Sequence, residues 1–267
     1  MPTPPTLMGI LNLTPDSFYD GGTLKTESHL LQQASKMIEA GAHWLDIGGE
    51  STRPGAEPIS EQEELNRVIP AIEALRRHFD IPLSIDTHKA VVMQEALGAG
   101  AALINDIWAL RGPDSIKVAT NHPKALICLM HMQGTPQTMQ ENPTYNEDVI
   151  QTIKDFFVNQ IKVCENAGIE RNRLILDPGI GFGKTLKQNI SIINRLEEFN
   201  ALGLPLLIGV SRKSMIGQIL DKPVNDRLFG SVSATLEAVS HGASWVRTHD
   251  VGATKDALQV MLAIRNQ

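Results

Sequence analysis

Short apolar runs alternate with longer amphipathic stretches along this chain. Eight of the runs predict buried strands, at residues 7–13, 43–49, 82–87, 103–109, 125–132, 174–180, 205–211 and 245–250. Nearly continuous apolar strands are typical of a parallel sheet that is covered on both faces. The pattern therefore predicts a parallel sheet buried under helices.

Between these runs, apolar residues recur at three- and four-residue spacing, which predicts amphipathic helices. The clearest lie around residues 30–38, 65–75 and 150–164, and two more cover 228–241 and 255–265. Ser60 with Glu63 has the pattern of a capping box at the start of the second helix. A glycine just past the periodic run marks three helix ends, at Gly41, Gly168 and Gly242.

Eight strand-and-helix units favour a closed (β/α)₈ barrel. The length of 267 residues agrees, since such barrels typically have about 250. A doubly wound open sheet would usually carry a glycine-rich dinucleotide fingerprint in its first turn, and NLTPDSFYDGG has none. That turn is also long, which is typical of a functional loop. We therefore predict an α/β fold, a single-domain (β/α)₈ TIM barrel over residues 1–267.

Composition and charge limit the possible partners. A hydrophobic fraction of 42%, a charged fraction of 20% and a net charge of -6 describe a soluble globular protein and argue against nucleic acid. Cys128 and Cys164 fit buried thiols in a reducing compartment better than a disulfide. Neither a signal segment nor a membrane span is evident, so we predict a cytoplasmic protein without a membrane partner.

Each predicted strand is followed by polar residues at its carboxyl end. In chain order they are Asn12; Glu50, Thr52 and Arg53; Asp86; Asn105 and Asp106; His131 and Gln133; Asp177; Ser211 and Lys213; Arg247 and His249. Any one of them could merely cap a helix. In an α/β barrel, however, all eight ends meet at one rim, where active sites are built. The sequence therefore predicts a site at this rim.

The rim residues fall into two chemical classes. Asp86, Asn105 and Asp177 are acceptors that can bind the donor edge of a nitrogen heterocycle. The second class is cationic or donating and suits a phosphate or carboxylate, and it consists of Arg53, Lys213, Arg247 and His249. The sequence contains no Cys or His pair at the spacing of zinc ligands, so any metal would be Mg²⁺ that bridges substrate phosphates with few protein ligands.

The stretch LILDPGIGFGKT brings Asp177 to a strand end and follows it with alternating glycines. It superficially resembles a phosphate-binding P-loop, but the first glycine of that motif would fall on Pro178. It is therefore a different loop, one whose glycines allow positive φ or close approach to a flat ligand.

At this point the chain resembles a known family, the dihydropteroate synthases, which are pterin-binding enzymes of folate biosynthesis and the target of sulfonamides. The resemblance runs from Met8 to His249. It rests on seven motifs in order: MGILNLTPDSFYDGG, DIGGESTRPGA, SIDT, INDI, LDPGIGFGK, VSRKS and the triplet Arg247-Thr248-His249. It implies a (β/α)₈ fold and a transferase that joins 6-hydroxymethyl-7,8-dihydropterin diphosphate to 4-aminobenzoate, giving 7,8-dihydropteroate and diphosphate.

The resemblance also implies roles for individual residues. The pterin would be held by Asp86, Asn105, Asp177, Lys213 and Arg247. The diphosphate would be bound by Asn12, Arg53, Arg247 and His249, with Asn12 as the protein ligand of Mg²⁺. The aminobenzoate site and its two closing loops would be formed by Phe18, Asp20, Thr52, Arg53, Pro54, Phe182, Ser211 and Lys213. The residues expected to act in catalysis are Asp86, Asp177, Lys213, Arg247 and His249. A homodimer is expected from the family alone.

Two departures from the family pattern are Tyr19, where a small residue is more common, and Trp108 after INDI. Two other readings share the acceptor set: a pterin-binding methyltransferase barrel acting with a corrinoid protein, and a non-catalytic pterin-binding barrel. The first would not need the STRPG and SRK cations, and the second predicts loss of Asn12, Arg53, Lys213 or His249, all of which are present. A sugar-phosphate aldolase or isomerase would need a strand-borne Schiff-base lysine or a paired glutamate base, and the sequence has no such arrangement.

Overall fold

The computed structural model describes residues 4–13, 23–53, 55–141, 143–145 and 147–265. Each predicted strand is present and ends one to three residues before its predicted limit. The strands are β1 Thr6–Asn12, β2 Trp44–Gly48, β3 Leu83–Asp86, β4 Leu103–Asp106, β5 Leu126–Met130, β6 Leu174–Asp177, β7 Leu207–Ile208 and β8 Trp245–Thr248. The predicted limits were too long because the apolar runs continue into the buried loops at the rim.

All eight strands are parallel and pair in the order β6-β5-β4-β3-β2-β1-β8-β7. A further parallel bridge joins Leu176 to Leu206, and the Leu176 amide donates to the Pro205 carbonyl at 2.9 Å. This bridge connects the two ends of the sheet. The predicted (β/α)₈ barrel is therefore confirmed.

Helices follow every strand. Among the described residues they are α1 Thr23–Glu39, α2 Glu61–His78, α3 Ala90–Gly98, α4 Ser115–Asn121, α5 Val149–Asn166, α6 Leu186–Asn194, α7 Ser214–Leu220, α8 Leu228–Ser240 and α9 Val251–Arg265. The five helices predicted from periodicity are all present. Strand β7 is followed by two helices, because α7 intervenes before the predicted helix α8.

The predicted helix ends and caps are mostly confirmed. Gly41, Gly168 and Gly242 have φ of 99°, 87° and 104°, the conformation expected just past a helix. The capping box at Ser60 is only half formed: its hydroxyl accepts from the Glu63 amide at 3.1 Å, but the Glu63 carboxylate pairs with Arg67 instead.

The barrel interior is apolar at its amino end and polar at its carboxyl end. The lower part is a cluster of Met8, Leu103, Cys128, Ile175 and Leu207, with Trp44, Leu126 and Trp245 packed against it. Because side chains alternate along a strand, the inward positions above this cluster fall on the strand ends at the rim. Cys128 and Cys164 are buried free thiols, as predicted. No helix in the described part of the chain is long and apolar enough to cross a membrane.

Candidate active site

The centre of the polar layer is a guanidinium bound by two carboxylates. Arg247 of β8 donates from Nε to Asp46 Oδ2 of β2 and from Nη2 to Asp86 Oδ2 of β3, each at 2.6 Å. Asn105 of β4 donates to the same Asp46 oxygen at 3.1 Å. Although burial opposes it, Asp46 and Asp86 hold the pKa of Arg247 above its usual value. Four strands are thus tied together inside the barrel mouth.

Asp46 was missed by the sequence analysis, although it is fully buried and joins two predicted residues. Asp46 lies two residues before Gly48 on β2. A Cβ added at Gly48 would lie 3.5 Å from Asn12 Oδ1 and 3.6 Å from Asp86 Oδ2, so the Gly48 position lines the mouth between these two residues. Positions two apart on a strand share a face, so Asp46 faces the same way as Gly48. The sequence DIG in the second motif therefore contained the information needed to predict Asp46.

The two predicted carboxylates of the pterin group, the half-buried Asp86 and the buried Asp177, both have raised pKa values. Burial raises the pKa of Asp86 to about 7, against the opposing effect of Arg247. Burial also raises the pKa of Asp177, while Lys213 and the Gly179 amide, which donates to Asp177 Oδ1 at 2.7 Å, favour its ionised form. For both groups, burial and the facing cations or donors thus act on the pKa in opposite directions.

Lys213 lies at the opening of the mouth, beside the loop that follows β6. Its ammonium donates to the Ile180 carbonyl and lies 4.6 Å from the centre of the Phe182 ring. Burial lowers the pKa of Lys213 to about 8, although Asp177 favours its charged form. Lys213 and Phe182 are thus next to each other, as the predicted aminobenzoate site requires.

At the end of β8, His249 contacts Ser211, which follows β7. The Ser211 hydroxyl accepts from the His249 amide at 3.2 Å and lies 3.0 Å from His249 Nδ1. Burial, together with Arg247 and Arg212, lowers the pKa of His249 to about 4. The ring is therefore a neutral donor or acceptor at physiological pH, and the nearby positive charge comes from the arginines.

The loop after β2 is described only in part. Thr52 is half-buried and Arg53 is exposed. Pro54, together with Phe18 and Asp20 of the first loop and Tyr19 between them, lies outside the described residues. The predicted roles of these four residues stay predictions.

Three of the strand-end residues, none of which was assigned a role in the site, have partners outside the polar layer around Arg247. Asp106 accepts from the amides of Trp108 and Leu110, each at 2.7 Å, and so caps its own turn. His131 contacts the buried Lys184. Glu50 accepts from Lys89 Nζ at 2.9 Å and from the Ile59 amide at 2.9 Å. For each of them the local structural role is the correct one.

Lys89 also binds Glu64 at 2.6 Å, so Glu50 belongs to a charged cluster on the outer wall of the barrel. A groove of about 480 Å³ lies beside it, lined by His88, Lys89, Trp108 and Lys117 among others. None of the predicted site residues that the structure describes lines this groove.

Removing the guanidinium tests how far the polar layer supports the fold. At pH 8, Arg247→Met leaves Asp46 and Asp86 buried without a cation, and we expect the free energy of unfolding to fall by about 3–5 kcal/mol in urea denaturation. Arg77→Met is the control, because Arg77 pairs with Glu27 on the surface and its loss should cost less than about 1 kcal/mol. Equal losses in the two variants would contradict this role.

Comparison with known proteins identifies the family. Residues 8–249 match the model of the family described as pterin binding enzyme. The dihydropteroate synthase of Haemophilus influenzae is 50% identical over 262 residues, covering 98% of this chain and 94% of the relative. The Yersinia pestis dihydropteroate synthase, solved as a sulfonamide drug complex, has a TM-score of 0.93 at 48% identity and covers 99% of this chain and 95% of its own. The Xanthomonas albilineans enzyme, solved with 4-aminobenzoic acid, gives a TM-score of 0.92 at 43% identity, with coverages of 99% and 94%. With these likenesses over nearly its whole length, the chain belongs to the pterin-binding enzyme family, among the dihydropteroate synthases.

Proposed function

We propose that this chain is a transferase that condenses 6-hydroxymethyl-7,8-dihydropterin diphosphate with 4-aminobenzoate to 7,8-dihydropteroate and diphosphate, in folate biosynthesis. The observation that carries the proposal is the set of acceptors at the strand ends of the barrel mouth: Asp86, which binds Arg247, and the buried Asn105 and Asp177. The relative solved with 4-aminobenzoic acid supports the second substrate. The two buried free thiols fit a reducing compartment, and we place the enzyme in the cytoplasm.

The hydrogen bonds inside the mouth suit a pterin. Asn105 commits its amide nitrogen to Asp46, which leaves its oxygen as an acceptor. Asp177 takes the aminopyrimidine edge, because an ionised carboxylate accepts two parallel N–H groups. Asp46 and Asp86 bind the edge of the Arg247 guanidinium, so its flat face is left to stack on the pterin ring. Lys213 donates to the same ring from the mouth.

The diphosphate is bound at the outer side of the mouth by Arg53, Arg247 and His249. Its Mg²⁺ fits the donors present. The described residues hold no cluster of three or more His, Cys, Asp or Glu side chains, and Asn12 presents an amide oxygen toward Gly48 and Asp86. Mg²⁺ commonly takes one or two protein ligands and completes its shell with substrate phosphates and water. Asn12 would therefore hold it, and when bound it would neutralise charge on the departing diphosphate.

The residues of this chain act mainly on the leaving group and on the pterin. Arg53 and Arg247 stabilise the negative charge that develops on the diphosphate as its bond to the pterin methylene breaks. Asp86 and Asp177, ionised, stabilise the positive charge that develops on the pterin. The aminobenzoate amine then attacks the methylene, so no covalent enzyme intermediate is required. Phe182, Ser211 and Lys213 line its site. As the family resemblance implies, the loop with Phe18 and Asp20 and the loop with Thr52, Arg53 and Pro54 would close over it and exclude water.

We also propose a homodimer formed by the surface of α7, α8 and α9. Both α7 and α9 pack against α8. These helices and the turn between α7 and α8 expose large apolar side chains, with Phe229 81% exposed and Ile219, Leu220, Val224, Val260 and Ile264 at 40–70%. Exposed apolar side chains grouped on adjacent helices are typical of an interface between copies of a chain.

Diphosphate release tests the reaction. With Mg²⁺ and the pterin diphosphate, release by the wild type should depend on 4-aminobenzoate, and Lys213→Ala should lower kcat/KM by about 100-fold because a donor in the mouth is lost. Lys222→Ala removes an exposed lysine and is the matched control. Pterin binding without aminobenzoate-dependent release would favour the methyltransferase or non-catalytic reading instead.

The pH dependence follows from the two shifted groups. Below about pH 7 Asp86 becomes protonated and loses its charge, and above about pH 8 Lys213 loses its proton. The value of kcat/KM for the pterin diphosphate should therefore be highest between these values and fall on both sides. In Lys213→Ala the alkaline limb should disappear while the acidic limb remains. An acidic limb in the wild type near pH 4 would contradict the role of Asp86.

The oligomeric state tests the proposed dimer. Phe229→Glu places a charge at the most exposed apolar side chain of the proposed interface, so light scattering should show a monomer where the wild type is a dimer. Val163→Glu on α5 makes the same change at another exposed apolar position, 45% exposed, and should leave the dimer intact. A wild-type monomer, or a dimer in Phe229→Glu, would exclude this interface.

A further inference from the structure

Five consecutive carbonyls of one loop are bound by side chains. The loop, which we call the glycine loop, is Pro178–Gly183 and follows β6 directly. Its carbonyl partners are Lys184 for Gly179 and Phe182 (2.9 and 3.0 Å), Lys213 for Ile180, Gln140 for Gly181 (2.7 Å) and Tyr145 for Gly183 (2.9 Å). Loop carbonyls on a rim usually face water. Here each one has a fixed partner.

Lys184 is at the centre of this arrangement and is buried. Besides the two loop carbonyls, its ammonium donates to the His131 carbonyl at 3.2 Å and lies 3.1 Å from His131 Nδ1. An ammonium has three protons, so four acceptors use all of them. Burial and the nearby Lys184 lower the pKa of His131 to about 2, which keeps its ring neutral and able to accept. This contact explains the histidine at the end of β5.

The backbone of the glycine loop also packs directly on the loop that follows β5. Gly179 has φ of 71°, and a Cβ there would lie 2.0 Å from the His131 carbonyl oxygen. At Gly183, with φ of 66°, a Cβ would lie 2.6 Å from the Gln133 carbonyl oxygen. Only glycine allows this approach. The loop therefore has little freedom to shift against its neighbour.

Two groups of the active site depend on the position of this loop. The Gly179 amide donates to Asp177 Oδ1 at 2.7 Å. Phe182 lies between the carbonyls held by Gln140 and Tyr145, and its ring faces Lys213 at 4.6 Å. The side chains that bind the loop carbonyls therefore influence the Gly179 amide and Phe182, which are the groups that the loop presents to the site.

We propose that Lys184, Gln140 and Tyr145 are positioning residues that hold the carbonyls of the glycine loop and so fix Phe182 for 4-aminobenzoate. The inference rests on the proposed function, and it adds residues that touch neither substrate. Gln140 and Tyr145 bind the two carbonyls that flank Phe182. Their loss should therefore weaken the binding of 4-aminobenzoate alone. Lys184 also binds the Gly179 carbonyl. Its loss should therefore also affect the position of Asp177 and the binding of the pterin.

The experiment measures the two substrates separately. Tyr145→Phe removes only the hydroxyl that binds Gly183, and we expect the KM for 4-aminobenzoate to rise about fivefold while the Kd for the pterin diphosphate, from calorimetry, stays within twofold. Lys184→Met should raise that KM by about tenfold or more, since small displacements at a site cost up to about 100-fold. Lys187→Met, an exposed lysine three residues on, is the control and should change neither.

Hydrogen exchange gives a readout independent of turnover. The peptide that covers residues 178–184 should exchange faster in Tyr145→Phe and Lys184→Met than in the wild type or Lys187→Met. An unchanged KM and unchanged exchange in Tyr145→Phe would overturn the proposal, and this variant decides alone if Lys184→Met does not fold. If the wild type forms no dihydropteroate, the proposed function fails, and the exchange data still test the loop.

Discussion

The cluster of Arg247 with Asp46 and Asp86 is the constraint on which the rest of this barrel depends. A closed eight-stranded barrel is normally filled by layers of apolar side chains. Here the lower interior is apolar, but the layer at the carboxyl end holds charges that are almost out of water. Removing ionised groups from water costs several kcal/mol each, and the cost is offset only when partners face them closely. The partners come from β2, β3, β4 and β8, so the site exists only when the barrel is closed.

This cost explains why the loops at the rim are stabilised by contacts that take no part in substrate binding. On one side, Glu50 accepts from Lys89 and from the Ile59 amide, which joins the two ends of the loop that carries Arg53. On the other side, Lys184 binds the glycine loop from beneath. Groups that must face a developing charge are most effective when they are already in place. The outer contacts provide this order without occupying the mouth.

The sequence was sufficient for the fold and for most of the mouth, because periodicity reports burial and strand ends are visible as polar residues after apolar runs. It was insufficient to predict which way individual side chains point. Asp46 lies inside an apolar run, and in a parallel strand buried on both faces the pattern does not separate inward from outward positions. Glu50, Asp106 and His131 stand at strand ends as the predicted residues do, but their partners are Lys89, the Trp108 amide and Lys184. Those contacts depend on how loops pack, which local pattern does not encode.

Two lysines on opposite sides of one loop show what decides between a structural and a functional role. Lys184 is buried and Lys213 is half-buried, and removal from water lowers the pKa of both, to about 7 and about 8. Lys184 has four acceptors within 3.2 Å, so its protons are all used by the protein. Lys213 has one carbonyl and the face of Phe182 among the described residues, so protons remain for a ligand. Since the residue type and the direction of the pKa shift are shared, the number of acceptors that the loops supply is what separates the two roles.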